Sequence, residues 1–310
     1  MSSKKVSIIG AGRVGSTLAQ ILALKGVCDV VLWDRKEEHA KGIALDIKES
    51  APVEKFDISI TGTGNLRDLK NSDVVVLTAG VQRKAGQSRD DLLISNAEII
   101  KPLCEGIARY APDCKLIVLT NPLDGMVYMA KKVTKFQKNR VIGMAGILDA
   151  ARFEEFIAME LGIGADDVFA VVLGSHGDFM VPLPRYSSVA GIPLVELLPK
   201  QKIDKIIKRT RNAGAEIIEL ESSSAFYAPA ASLSLMVISI LEDRRRIFPC
   251  SAYLDGEYGV HGIFMGVPVI LGKRGIEKII ELKLNRKERD MVNKSAGMIK
   301  RSIKPLLYKV

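Results

Sequence analysis

Val6-Ser7-Ile8-Ile9-Gly10-Ala11-Gly12-Arg13-Val14-Gly15 decides the fold of this 310-residue chain. A short β-branched run meets a Gly-x-Gly-x-x-Gly turn, and residues 13–25 then carry a helical pattern. Glycine is common, so the spacing alone says little; a strand before it and a helix after it give it meaning. Gly10 permits the tight turn, Gly12 lets backbone amides approach a pyrophosphate, and Gly15 lets the helix lie close to the sheet with its N-terminus toward the phosphates. Asp34 closes the next apolar run. Its carboxylate can accept hydrogen bonds from adenosine ribose hydroxyls and would repel a 2′-phosphate, which favours NAD over NADP. Arg35 beside it weakens that exclusion. The competing reading is a domain of the same shape that binds no nucleotide, or a different one.

Apolar runs at 6–9, 30–33, 58–60, 74–78, 116–119 and 140–142 alternate with helical stretches at about 13–25, 36–48, 89–110 and 124–133. Such alternation predicts an α/β fold, with a doubly wound parallel Rossmann sheet over residues 1–142. From residue 148 the order changes to a helix, strands as far as about 186, and long helices near 201–220 and 229–242. A hairpin-like region over about 247–271 and a charged amphipathic helix at about 287–303 follow. Residues 143–310 therefore read as an α+β second domain. With no repeat or low-complexity linker between the halves, the expectation is a cleft between tightly packed domains.

A hydrophobic fraction of 47% supports a large core and an ordinary soluble globular chain. The uncharged stretch 222–241 is serine-rich and interrupted by Pro229, so it reads as a buried helix, not a membrane span. The segment before Val6 is too short for the apolar part of a signal peptide, and the expected location is the cytoplasm. Cys28, Cys104, Cys114 and Cys250 stand far apart, which argues against a zinc site and a disulfide framework. The net charge of +9 raises nucleic acid as a partner. Acids are interspersed with the bases and aromatics make up only 5%, so a solvated surface with some steering of anionic substrates is the better reading.

The chain has 3 histidines. His176 stands in Gly174-Ser175-His176-Gly177-Asp178, directly after the apolar run 168–173. A strand ending in glycine can present an imidazole to a cleft, where its ordinary pKa suits proton transfer. Taken alone it is more often an unremarkable surface-turn histidine. His39, in a charged helix, and His261, in a glycine-rich turn, read as structural or exposed. Asp149 and Arg152 are spaced to share one helix face behind the apolar, glycine-rich run 143–148; buried there, they would need strong partners. Thr78-Ala79-Gly80 and Thr120-Asn121-Pro122 follow strands, where such sheets bind ligands. The polar segment 81–92, carrying Arg83 and Arg89, reads as a closing loop that opens a helix near Arg89.

With these motifs in order along the chain, the sequence resembles the lactate/malate dehydrogenase family over its whole length, and within it the lactate-dehydrogenase-like malate dehydrogenases. The resemblance rests on Gly10-x-Gly12-x-x-Gly15, Arg83-Lys84-x-Gly86-x-Ser88-Arg89-Asp90-Asp91-Leu92, Thr120-Asn121-Pro122, Gly143-Met144-x-Gly146-x-Leu148-Asp149-x-x-Arg152-Phe153 and Gly174-Ser175-His176-Gly177-Asp178. It implies that His176 exchanges a proton with the C2 hydroxyl of a 2-hydroxy acid, that Asp149 orients the imidazole, and that Arg152 holds the C1 carboxylate. Arg89 would polarise the C2 carbonyl, and Asn121 would hydrogen-bond in the nicotinamide–substrate region. The positions expected to line NAD are Gly10, Gly12, Arg13, Val14, Gly15, Asp34, Thr78, Ala79, Gly80, Asn96, Thr120 and Asn121. No metal is expected, and a homo-oligomer, dimer or tetramer, is implied.

In similar sequences the Arg83 position is arginine in malate-specific enzymes and glutamine in lactate-specific ones. A second substrate carboxylate in a closed site needs one more cation than Arg152 supplies, so Arg83 points to a dicarboxylate. Two departures limit the transfer: Ala85 replaces the usual proline of the loop, and Ser222-Ser223-Ser224-Ala225-Phe226 has serine where glycine is frequent. An L-lactate or broad 2-hydroxy-acid dehydrogenase therefore stays open beside the malate reading. A non-catalytic NAD-binding protein is the remoter alternative.

Overall fold

A computed structural model describes residues 4–82 and 88–307. Arg83 and Ala85 lie outside the described residues, and Arg89 enters only through its backbone. The first half runs β1 (Lys5–Ile9), α1 (Arg13–Lys25), β2 (Asp29–Trp33), α2 (Glu37–Glu49), α3 (Ala51–Glu54), β3 (Ile60–Thr63), β4 (Val74–Leu77), α4 (Arg89–Tyr110), β5 (Lys115–Val118), α5 (Leu123–Thr134) and β6 (Val141–Gly143). Its strands pair in parallel in the order β3-β2-β1-β4-β5-β6. Period-two alternation supplies both faces. Val74 and Val76 of β4 enter one apolar cluster, and Val75 and Leu77 enter the other. The strand order reverses between β1 and β4, so the loops beginning at Gly10 and Thr78 open side by side at the carboxyl ends of the sheet.

The third strand differs from expectation. It starts at Ile60, where 58–60 had been expected, and it includes Gly62, a residue that reads as a strand breaker. Its register with β2, Val30 on Ile60 through Trp33 on Thr63, puts Gly62 directly beneath α2. A side chain there would collide with the Ala40 carbonyl, so close packing of a helix, not strand propensity, sets this strand.

The second half runs α6 (Gly146–Leu161), β7 (Val168–Phe169), β8 (Val172–Gly174), β9 (Met180–Pro182), β10 (Ser188–Val189), β11 (Ile192–Pro193), α7 (Leu194–Leu197), α8 (Lys200–Glu221), α9 (Tyr227–Leu241), β12 (Arg246–Asp255), β13 (His261–Gly272), β14 (Gly275–Ile279), α10 (Arg286–Ser302) and α11 (Lys304–Leu307). Three short strands form a small antiparallel sheet, β11-β10-β7. The others extend the main sheet. β12 joins β6 at the Ser251–Gly143 pair, and β8 joins β13 at the Gly174–Gly266 pair. Helix α9 is buried along most of its length, and among the described residues no helix is long and apolar enough to cross a membrane. The sequence pattern ended the closing helix near 303; the chain adds α11, whose Leu306 is buried.

Candidate active site

The imidazole is positioned by its two glycines. Gly174 adopts φ 88° and Gly177 φ 94°, a region L-residues rarely occupy. A side chain at Gly174 would also lie 2.7 Å from the Ser295 hydroxyl, the same hydroxyl that accepts the Ser175 backbone N–H at 2.8 Å. The turn is therefore clamped to α10, and His176 leaves it toward α6. Its Nδ1 lies 3.0 Å from Asp149 Oδ2. That contact leaves Nε2 as the ring nitrogen available to the cleft. Burial alone would push the imidazole's pKa down; the Asp149 charge and hydrogen bond outweigh it, so His176 titrates above its ordinary value.

Asp149, almost fully buried, is shared. Its Oδ1 lies 3.9 Å from Arg152 Nη1 and, like Arg152 Nε, has no hydrogen-bond partner among the described residues. Burial lowers the pKa of the Arg152 guanidinium, and the Asp149 charge opposes that shift. Gly214 of α8 lies beside the guanidinium, where a Cβ would make only an ordinary contact of 3.9 Å with both Arg152 Nη atoms. A buried guanidinium with an open donor beside a histidine is satisfied by an anionic ligand, a carboxylate above all.

The dinucleotide loop fits a pyrophosphate by its empty positions. Gly12 caps α1 without any side-chain hydrogen bond, which leaves the first amides of the helix free for phosphate. Gly15 is held by contact: a side chain there would run into the Gly10 carbonyl. Asp34 is fixed at the end of β2 by the amides of Ala11 and Lys36, each 3.0 Å from one carboxylate oxygen. Thr78 Oγ1 donates to the β1 end, and Thr120 Oγ1 donates to Ala79 O at 2.6 Å, so these two threonines tie the loops together. A cleft of about 460 Å³ joins the parts. Gly12, Arg13, Val14, Gly15, Thr78, Gly80, Thr120, Asn121, Arg152 and His176 line it, with Ser224, Ala225, Phe226 and Pro229 opposite. A groove of about 540 Å³ along β14 shares no residue with it and contains no histidine.

Two positions expected to line NAD also make contacts within the protein. Asn96 is fully buried, and its amide is committed to backbone: Oδ1 accepts Val81 N–H at 2.7 Å, while Nδ2 donates to Val81 O and to Asn121 O at 2.6 Å. It holds two loops in register. Arg13 lines the cleft but reaches across it, donating to Ser223 Oγ at 2.6 Å and lying over the Phe226 ring. Arg89 is the first residue of α4, behind a reciprocal Ser88–Asp91 capping box that fixes where the helix begins. His39 contacts the Ala11 carbonyl at 3.1 Å and His261 is exposed; both are remote from the His176–Asp149 pair in role. Asp124 and Ser251 also shape the site, and the sequence reading did not name them; Ser175 was quoted only as part of the His176 motif.

A dinucleotide loop, a carboxylate-oriented imidazole and a buried guanidinium on one cleft define an NAD-dependent dehydrogenase of small hydroxy acids. Comparison with known proteins narrows the class. Residues 4–143 match the lactate/malate dehydrogenase NAD-binding domain, and residues 147–310 match the lactate/malate dehydrogenase alpha/beta C-terminal domain. The chain belongs to the lactate/malate dehydrogenase family. A malate dehydrogenase of Geobacillus sp. strain WCH70 is 52% identical over 309 residues, covering 99% of each chain. Among solved structures, the apo malate dehydrogenase of Picrophilus torridus superposes with a TM-score of 0.95 at 46% identity, covering 97% of both chains. The lactate dehydrogenase of Cryptosporidium parvum, complexed with lactic acid and NAD, does so at 0.96 and 39% identity over 99% of both.

Proposed function

We propose that this chain is an NAD-dependent malate dehydrogenase that interconverts L-malate and oxaloacetate. The observation that carries the reading is the His176–Asp149 pair, 3.0 Å apart, beside the open guanidinium of Arg152 in the cleft that Gly12 and Gly15 also line. When bound, NAD supplies the two-electron acceptor for oxidation, or the donor for reduction. In oxidation His176 takes the C2 hydroxyl proton at Nε2, and in reduction it returns it. Asp149 keeps the ring oriented and stabilises the imidazolium. Arg152 pairs with the C1 carboxylate, and Arg89 polarises the C2 carbonyl where negative charge develops.

Substrate choice rests on Arg83 and on relatives named malate dehydrogenase at 52% identity. An opposed charge at about 4 Å gives roughly 4 kcal/mol at an effective dielectric of about 20, before desolvation, enough to decide between a substrate with one carboxylate and one with two. The likeness to a lactate dehydrogenase at a TM-score of 0.96 favours a second reading, lactate oxidation on the same scaffold. Steady-state kinetics on oxaloacetate and pyruvate with NADH and NADPH separate them. Rapid NADH loss with oxaloacetate is expected; turnover of pyruvate alone would refute the malate assignment, and NADH binding without reduction of either acid would leave a non-catalytic protein. Arg83→Gln is expected to move the rate ratio toward pyruvate, and an unchanged ratio would assign selection to another residue.

The proposal includes a division into an NAD-binding part, residues 1–142, and a catalytic part, residues 143–310. It also includes a homotetramer or dimer working in the cytoplasm in the tricarboxylic acid cycle, with no nucleic-acid or membrane partner. Four buried thiols, Cys28, Cys104, Cys114 and Cys250, suit a reducing compartment.

A further inference from the structure

Beneath the His176 turn lies a second buried carboxylate that the proposed proton transfer does not use. Asp124 sits in the first turn of α5, within one helical turn of Asn121. Its Oδ2 accepts the Ser175 hydroxyl at 2.8 Å, and its Oδ1 accepts the Ser251 hydroxyl of β12 at 2.9 Å. One carboxylate thus joins three elements: the helix that follows the Asn121 loop, the turn carrying the imidazole, and the strand that bridges the two halves of the sheet. Ser175 is held at its other end, its N–H donating to Ser295. The charged groups facing Asp124 are His176 on the turn and Asp149 on α6; β12 and the turn itself contribute the hydroxyls of Ser251 and Ser175. No water-exposed charge is needed to account for the position, yet burial is costly for a carboxylate, and its pKa is pushed up to about 6.

We propose that Asp124 is a positioning residue for the reaction: it locks the His176 turn to the nicotinamide-side loop and holds a negative charge behind the imidazole. The proposal rests on the reading of His176 as the proton-transfer group. Two hydroxyl donors converging on both oxygens require an acceptor at each, which the ionised carboxylate provides and an amide does not. The charge stabilises the protonated imidazole together with Asp149. The hydrogen bonds fix where the ring stands relative to Asn121.

The test uses the intact protein with Asp124→Asn and Ser175→Ala. The His176 pKa is read first without substrate, by NMR of the ¹⁵N-histidine-labelled protein, with His176→Asn assigning the signal among the 3 histidines. Asp124→Asn is expected to lower that pKa by about half a unit or more, to cut kcat for oxaloacetate reduction about tenfold, and to leave NADH affinity unchanged. Ser175→Ala, which keeps the charge, is expected to cut kcat several-fold while the pKa stays in place. A folded Asp124→Asn protein with an unmoved His176 signal and wild-type kcat overturns the proposal. If Asp124→Asn does not fold, wild-type kcat in Ser175→Ala overturns it. A wild-type protein that reduces no 2-oxo acid refutes the functional reading instead, and the NMR titration still decides the electrostatic link.

Discussion

At the scale of single residues, the function turns on which of two opposing effects wins at His176. Burial disfavours the imidazolium, and Asp149 at 3.0 Å favours it; the balance lies with Asp149, so the ring titrates above its ordinary 6.5. Oxaloacetate reduction uses the protonated ring. Its kcat/KM should therefore fall about tenfold per pH unit beyond a midpoint above 6.5 and decline again below about 6, where Asp124 takes up a proton. Malate oxidation, which needs the neutral ring, should rise through the same range. Asp149→Asn is expected to bring that midpoint down and to slow both directions, by about 10²-fold or more. A wild-type midpoint at or below 6.5, measured as kcat/KM against pH at saturating NADH, would mean that desolvation dominates. The imidazole was legible in the sequence because two glycines flank it, and positive φ at both is what they supply. Asp124 was not, because nothing local distinguishes an aspartate in the first turn of a helix from an ordinary exposed one. Its two serine partners lie 51 and 127 residues away along the chain.

At the scale of elements, the glycine loop separates two roles that the motif confounds. Gly15 is required by packing, since any side chain would drive into the Gly10 carbonyl and approach Ile8 Cγ2 at 3.2 Å, lifting α1 off β1. Gly12 has nothing within 4 Å and an ordinary negative φ of −74°, so its freedom serves the cleft. Gly15→Ala should therefore cost about 1–3 kcal/mol of stability and weaken NADH binding as well. Gly12→Ala should leave stability within about 0.5 kcal/mol while still weakening NADH binding, because its side chain would occupy the approach to the pyrophosphate. Urea denaturation paired with NADH fluorescence titration resolves the two, and equal losses of stability would refute the division. The long helices were read to within a residue or two because periodicity and caps are local, while the four-residue helices α3, α7 and α11 are too short to show a period. β3 was misplaced because Gly62 belongs to a strand only through the pressure of α2 above it, a contact the local pattern does not carry.

At the scale of the molecule, the sequence suggested two domains facing a cleft, yet the halves are joined more closely than alternating motifs imply. The sheet passes from parallel to antiparallel through the Gly143–Ser251 pair and reaches the catalytic turn through Gly174–Gly266. At Gly266 a side chain would lie 2.6 Å from the Gly174 carbonyl. Such seams are invisible in sequence, since each is one contact between distant glycines or serines. One apolar cluster takes Val6, Leu18 and Val76 from the first half together with Leu233, Cys250 and Val267 from the second, and α1 packs on α9. Although Ala150, Phe153, Leu194 and Ile206 form a smaller cluster within the second half, the largest cluster is drawn from both halves, so the chain should unfold in one cooperative step. Trp33, the 1 tryptophan, reports on β2 of the first half, and far-UV circular dichroism is weighted toward the long helices α8, α9 and α10 of the second. Their urea transitions should coincide to within about 0.3 M and should move together to higher urea when NADH is added, because a ligand bound to the native state stabilises whatever unfolds as a unit. A fluorescence transition displaced from the dichroism transition, or NADH shifting only one of them, would show two halves that fold independently and would confine the coupling between cofactor site and His176 to the loops.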